Sequence, residues 1–202
     1  SEDQFRVEFE CEFIGSSNTL IPGSKLRSLT FEKAKYTKDG TSIFEDPTET
    51  GAYAVIVDTS RGTGADYSAF CIIDVSVMPY KVVCKYRSKN ISPMLYPQVI
   101  KAAATRFNEA YVLVEVNDVG SQVADILHHD LEYENLLTVA QMGRAGQQIG
   151  AGFGKNVSLG VKTSKYVKRI GCQTLKDLIV SDQLIVNDFD ILSELNTFVS
   201  KA

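Results

Sequence analysis

A chain of 202 residues, 44% of them hydrophobic, suits a single compact domain with a core of its own. Its longest apolar runs, such as YAVIV and AYVLVEV, are strand-length, which excludes a membrane-spanning helix of about 20 apolar residues. The net charge is −4, and the acidic start SEDQFRVEFECEF has neither the basic nor the apolar region of a secretion signal, so an intracellular protein is expected.

Residues 5–13, FRVEFECEF, alternate apolar and polar as an edge strand does, and IGSSNTLIPGS reads as loop. KYTKDGTSIFEDPTETG is polar and turn-rich. Strands follow over 53–58, 68–75 and 80–86. Their connections, TSRGTGADY and SVMP, are too short for a parallel crossover, so the three form an antiparallel meander. Ser92 followed by Pro93 is a helix start, with Ser as N-cap and Pro at the first helical position, and predicts a helix to about Asn108. AYVLVEVN, 110–117, is apolar on both faces, as a central parallel strand is. Gly120 and Ser121 open a second helix that ends near His128 and His129, and NLLTVA, 135–140, is a fifth strand.

Residues 143–160 carry six of the 14 glycines and read as a glycine-rich loop. Thr163 or Ser164 then caps a long helix to about Val180, with Tyr166, Ile170 and Leu178 on one face and Lys165, Lys168 and Arg169 on another. QLIVND and DFDILSELNTFV follow as a short strand and a helix. Cys11, Cys71, Cys84 and Cys172 are far apart, form no C-x-x-C pair and mostly sit in apolar runs, so buried reduced thiols rank ahead of disulfides or zinc.

An antiparallel three-strand meander followed by alternating helices and parallel strands is the element order of a ribonuclease H-like fold, an α/β domain around a mixed central sheet. In that topology the first and fourth strands are parallel neighbours. The C-terminal ends of the strands bearing Asp58 and Glu115 then lie side by side, where open α/β sheets place their sites. A carboxylate on a central strand costs several kcal/mol of effective desolvation unless it is paired or metal-bound. Two together without an obvious basic partner point to a divalent cation held by oxygen.

Residues 135–176 hold seven Lys or Arg and no Asp or Glu, leaving fourteen basic against twenty-five acidic residues elsewhere. This basic island reads equally as a polyanion-binding face or as a solvated helix with no partner. IGAGFGKN is not a phosphate-binding P-loop, because Ile149 stands where the first glycine belongs and Asn156 where Ser or Thr should follow the lysine.

DTSRGTGADYSAF, then VLVEVNDVG with Glu115 57 residues after Asp58, then GVKTSKYVKRIGCQTLKDLI, resembles the nuclease domain of the large terminase subunit of tailed bacteriophages, of the T-even type. FECEFIGSSNTLI is similar to the segment that joins this family's ATPase domain to its nuclease. The resemblance implies a ribonuclease H-like, metal-dependent endonuclease that cuts concatemeric viral DNA when packaging starts and when the head is full. It implies work in the host cytoplasm with double-stranded DNA, the ATPase domain of the same full-length chain, the viral portal and the small terminase subunit, and no membrane.

By motif position Asp58 and Glu115 match two members of the family's catalytic acidic triad, and Asp66 matches the further acid of its D-x-x-x-G-x-x-x-D loop. Asp58 is expected to bridge two Mg²⁺ or Mn²⁺ ions about 3.5 to 4 Å apart, with Glu115 on one of them. Asp66 is expected to orient water or to steady the glycine turn, and fixing the turn before the second strand is a role of nearly equal standing. The third triad carboxylate lies, by the resemblance, in a later H-D-D-type motif that this sequence does not contain; Asp188 and Asp190 precede its position. The expected organisation is a linker-like segment over 1–50 packed on a nuclease core over 51–202 that stops before the third acid, with the metal site incomplete and the fragment inactive alone. Arg144, Lys155, Lys162, Lys165, Lys168 and Arg169 are the expected phosphate contacts along the duplex. The alternative is a DNA-gripping module of the packaging motor that does not cleave.

Overall fold

The computed structural model describes residues 19–141, 147–150 and 157–199. The expected strand over 5–13 lies outside them, as do Arg144 and Lys155. A one-turn helix α1 (Gly23–Leu26) precedes a hairpin of β1 (Tyr36–Lys38) and β2 (Thr41–Ile43). The stretch read as merely turn-rich is therefore two short strands. Asp39 and Gly40, at φ of 49° and 83°, make the tight turn that an Asp-Gly pair favours.

The meander follows as expected: β3 (Tyr53–Asp58), β4 (Ser68–Asp74) and β5 (Tyr80–Ser88) pair antiparallel in sequence order. Helix α2 runs over Tyr96–Arg106, three residues later than an N-cap at Ser92 predicts. Ser92 still begins the turn, since its carbonyl accepts from Leu95 and Tyr96, both at 3.0 Å, but the regular helix starts only with the second proline, Pro97. Strand β6 (Tyr111–Val114) lies parallel to β3. Helix α3 (Gly120–Asp125) continues as a single π-turn (Ile126–Asp130) through the two histidines. The resulting sheet has the order β1-β2-β5-β4-β3-β6.

The expected fifth parallel strand divides in two. Residues 135–137 do run beside β6, with the Val112 amide donating to Asn135 at 2.9 Å and the Leu137 amide to Val112 at 2.8 Å. From Thr138 the chain leaves as β7 (Thr138–Gln141), which joins β8 (Gln147–Gly150) and β9 (Val157–Leu159) in a separate antiparallel sheet. Part of the glycine-rich loop is thus strand: β8 pairs with β7 through Gln147, Gln148 and Ile149, of which only Ile149 is a strong strand former. Val161 returns to the main sheet beside Glu115. Helix α4 (Lys165–Val180) then starts at Ser164, whose Oγ accepts from the Val167 amide at 3.2 Å. Strand β10 (Leu184–Ile185) and helix α5 (Phe189–Thr197) end the described chain.

Two cores flank the sheet. Val55, Val57, Phe70, Ile72, Val112 and Val114 point to one face and bury against α2 and α3. On the other, Cys71, Ile73 and Val82 pack with Ile21, Leu26, Leu192, Leu195 and Ile179 from the N-terminal segment, α5 and the end of α4. That second layer covers the β4–β5 side only, and Ile56 on β3 stays 43% exposed. Among the described residues no helix is long and apolar enough to cross a membrane, and Cys71, Cys84 and Cys172 are free thiols.

Candidate active site

The site forms where β3 and β6 end. Val55 and Val57 face the helical core, so strand alternation turns Ile56 and Asp58 to the opposite face. Parallel pairing runs through Val57 and Val114, and the Glu115 amide donates to the Val57 carbonyl at 2.9 Å. The next residue of each strand therefore stands beside the other, and the carboxyl groups of Asp58 and Glu115 come within hydrogen-bonding reach. Both line a cleft of about 370 Å³ floored by Ile56, Ala69, Cys71 and Leu113, with Val161 and Thr163 opposite.

The electrostatics follow from that proximity. The Asp58 carboxyl is pushed up to about 6, first by desolvation at the strand end, then by its hydrogen bond to Glu115 and the like charge there, with a smaller push from Asp66. The Thr59 amide, donating to it at 2.9 Å, pulls the other way. The groups acting on Asp58 include no basic side chain. Two adjacent carboxylates without a protein counter-charge fit a hard divalent ion, and Mg²⁺ is commonly held by one or two carboxylates with waters and phosphate oxygens completing its shell. Among the described residues no group of three or more His, Cys, Asp or Glu is placed to hold a metal, so the chain offers the pair.

The turn after β3 is fixed from both sides. Gly62 adopts φ of 68°, and a β-carbon there would stand 2.2 Å from the Ile91 carbonyl oxygen. The Ser60 amide donates to the buried Ser68 hydroxyl at 3.0 Å, and the Ser60 hydroxyl to the Asp66 carbonyl at 3.0 Å. This folds Asp66 back into a second cleft of about 350 Å³ shared with Asp58, Arg61, Tyr67 and Asp118.

Asn117 and Asp118, which as loop residues would merely meet solvent, are engaged. The Asn117 side-chain amide donates to Glu115 Oε1 at 3.1 Å and to the Thr163 carbonyl at 3.2 Å, tying the carboxylate to the start of α4. Asp118 takes a two-pronged ion pair from Arg61, at 2.8 and 2.7 Å, whose guanidinium holds its carboxyl below the usual range. Two loops that follow neighbouring strands are joined this way across the mouth of the site.

With the geometry in place, a family model for the terminase RNase H-like domain matches residues 55–201. The chain belongs to that family. A curated relative, the large terminase subunit of Thermus virus P23-45, is 27% identical over 125 residues, which is 61% of this chain and 24% of the relative. The chain thus spans about a quarter of that relative's length. Among solved structures, the large terminase nuclease of thermophilic phage G20c with bound magnesium superposes with a TM-score of 0.69 at 20% identity, over 91% of this chain and 82% of the other. The same protein with bound cobalt gives 0.68 at 22% identity over the same shares. The nuclease domain of the Thermus phage P74-26 large terminase gives 0.63 at 21% identity, over 89% and 77%. These likenesses establish the ribonuclease H-like fold.

Within this terminase fold the other expected residues fall in three places. Lys162, Lys165, Lys168 and Arg169 lie on the approach to α4 and its first turns, all exposed, next to the wall formed by Thr163. Asp188 and Asp190 lie away from the acid pair: both grip Lys85 of β5, at 2.6 and 2.5 Å, and Asp188 also caps α5. His128 and His129 meet edge to face at the π-turn, with ring centroids 4.7 Å apart. What sequence reading missed is Asn117. The sign of it was there, since an Asn-Asp pair at a strand's end, three residues before a glycine, is a turn whose side chains reach nearby groups.

Proposed function

We propose that this chain is the divalent-metal-dependent endodeoxyribonuclease domain of a phage DNA-packaging terminase, cutting concatemeric double-stranded DNA when head filling begins and when it ends. Its working partners are the ATPase domain of the same full-length chain, the portal and the small terminase subunit, in the host cytoplasm. The observation that carries the reading is the meeting of Asp58 and Glu115 on adjacent parallel strands, with Asp58 pushed up to about 6 and no basic group to relieve it.

Asp58 and Glu115 would hold two Mg²⁺ or Mn²⁺ ions, both acids binding as carboxylates. When bound, a divalent ion polarises the phosphoryl oxygen and eases deprotonation of water. Water oxygen would bond to phosphorus and pass a proton to solvent as the P–O3′ bond breaks, and the 3′ oxygen would leave and take a proton from solvent. Asn117 orients Glu115, and Asp66 lines the second cleft that Asp58 shares. Lys162, Lys165, Lys168 and Arg169, with Arg144 and Lys155, neutralise phosphates without reading sequence.

A second reading, DNA gripping without cleavage, draws support from the lack, among the described residues, of a third acid grouped with Asp58 and Glu115 so as to hold a metal. Plasmid nicking in Mn²⁺ separates the two. The first expects nicks from the wild type and none from Asp58→Ala or Glu115→Ala. Equal nicking by all three rules out this site, and DNA binding without nicking by the wild type favours the gripping module.

A further inference from the structure

The sheet face that carries Asp58 also carries a cation two strands away. Asp58 pairs with Ala69, and Ala69 with Arg87. The three side chains therefore point the same way, and Arg87 stands about 9 to 10 Å across the sheet from Asp58 at the usual strand spacing. Lys89 follows two residues on, in the segment against which the glycine turn rests, where the Gly64 amide donates to its carbonyl at 3.0 Å.

Tyr67 joins the two cations. It follows Asp66 directly and lines the same cleft as Asp58. The Arg87 guanidinium lies 5.1 Å and the Lys89 ammonium 4.8 Å from its ring centroid, inside the cation–π range of about 6 Å. The ring is 41% exposed, so it adds little to the core. Its physical effect is to hold two long, flexible cations in place and so reduce the ordering cost of whatever they bind. Arg87 also reaches Asp190 at 3.1 Å, an acid already shared with Lys85. The guanidinium keeps further donors in its fixed fork.

We propose that Tyr67, Arg87 and Lys89 form a phosphate-binding subsite that grips the cut strand upstream or downstream of the scissile phosphodiester. This rests on the reading of Asp58 and Glu115 as a DNA-cleaving pair. Two cations fixed beside a ring set the register of the backbone without discriminating bases. The cluster is invisible in the charge map of the sequence, since Arg87 and Lys89 fall outside the acid-free segment and Tyr67 is 20 and 22 residues from them.

The test is the salt dependence of binding to a short labelled DNA duplex, measured in an Asp58→Asn background so that no cutting intervenes. Arg87→Gln with Lys89→Gln is expected to weaken binding roughly tenfold and to lower the slope of log affinity against log salt by about 1.8, the value for two phosphate contacts. Tyr67→Ala weakens binding with no change of charge, whereas Tyr67→Phe matches the parent. If the Arg87 variant loses its fold along with its contact to Asp190, Lys89→Gln alone decides, with an expected slope change of about 0.9. A folded Lys89→Gln or double variant with unchanged slope and affinity overturns the subsite. In that case wild-type nicking of plasmid in Mn²⁺ leaves the cleavage reading standing, while a wild type that neither binds nor nicks ends both.

Discussion

A β-carbon on Gly120 would stand 1.8 Å from the Glu115 carbonyl oxygen. The strand bearing one of the two acids and the helix after it thus touch backbone to backbone, and Thr59, next to the other acid, closes the same contact with its Oγ1 at 3.0 Å. Gly120→Ala must push these apart, because a carbonyl cannot rotate away as a side chain can. The expected cost is about 1 to 3 kcal/mol, despite alanine's better helix propensity, read as a lower denaturant midpoint. Weaker Mn²⁺ binding should accompany it as Glu115 shifts.

Asp58 makes the stability of the metal-free protein depend on pH. Its carboxyl is raised from 3.8 to about 6 in the folded state, so the native chain binds the proton more tightly than the unfolded chain. The penalty is absent below about pH 4, grows as pH rises through the window up to about 6, and is complete above it. Because the residue is solvent-accessible, the loss is screened to the order of 1 kcal/mol. Thermal unfolding in EDTA should show stability falling across that window in the wild type. Asp58→Asn should flatten the profile and melt higher at neutral pH; identical profiles would show that Asp58 titrates normally.

The meander was legible because alternation and short connections are local signals, whereas the parallel pairing of β3 with β6, and hence the approach of Asp58 to Glu115, followed from the ribonuclease H-like topology that the order of elements matches. Three things were not. The split at Thr138 depends on pairing with residues after it, including Gln147 to Ile149, and no periodicity around Thr138 announces it. The bond from Asn117 to Glu115 requires knowing that Thr163 sits opposite. Tyr166 and Ile170 look like the buried stripe of α4, yet they are 54% and 46% exposed, since only the helix's final turns reach the core.

Lys85 should be the costliest surface-to-core contact to lose. It is almost fully buried, and its ammonium serves Asp188, itself buried, and the half-buried Asp190. Lys85→Met strands the buried Asp188 and leaves Asp190 to Arg87 alone, with an expected loss of about 3 to 5 kcal/mol by chemical denaturation. Adding Asp188→Asn should recover part of it, because asparagine removes the stranded charge and still caps α5. A Lys85→Met protein as stable as the wild type would mean that the cluster is hydrated rather than buried.

Asn117 tests whether the orientation of Glu115 matters to metal loading. Its amide commits one proton to Glu115 Oε1 and the other to the Thr163 carbonyl, leaving the remaining carboxylate lone pairs facing the cleft. Loss of a group that orients a metal ligand typically weakens metal binding by about 10- to 100-fold. Asn117→Ala should therefore reduce Mn²⁺ affinity by that factor in calorimetric titration, while the melting temperature of the metal-free protein changes little. In Asn117→Asp the donor becomes a third negative charge beside Asp58 and Glu115. Without a cation it should destabilise the fold, and Mn²⁺ should restore more stability to it than to the alanine variant. Equal Mn²⁺ affinity in wild type and alanine variant would show that β6 alone sets the direction of Glu115.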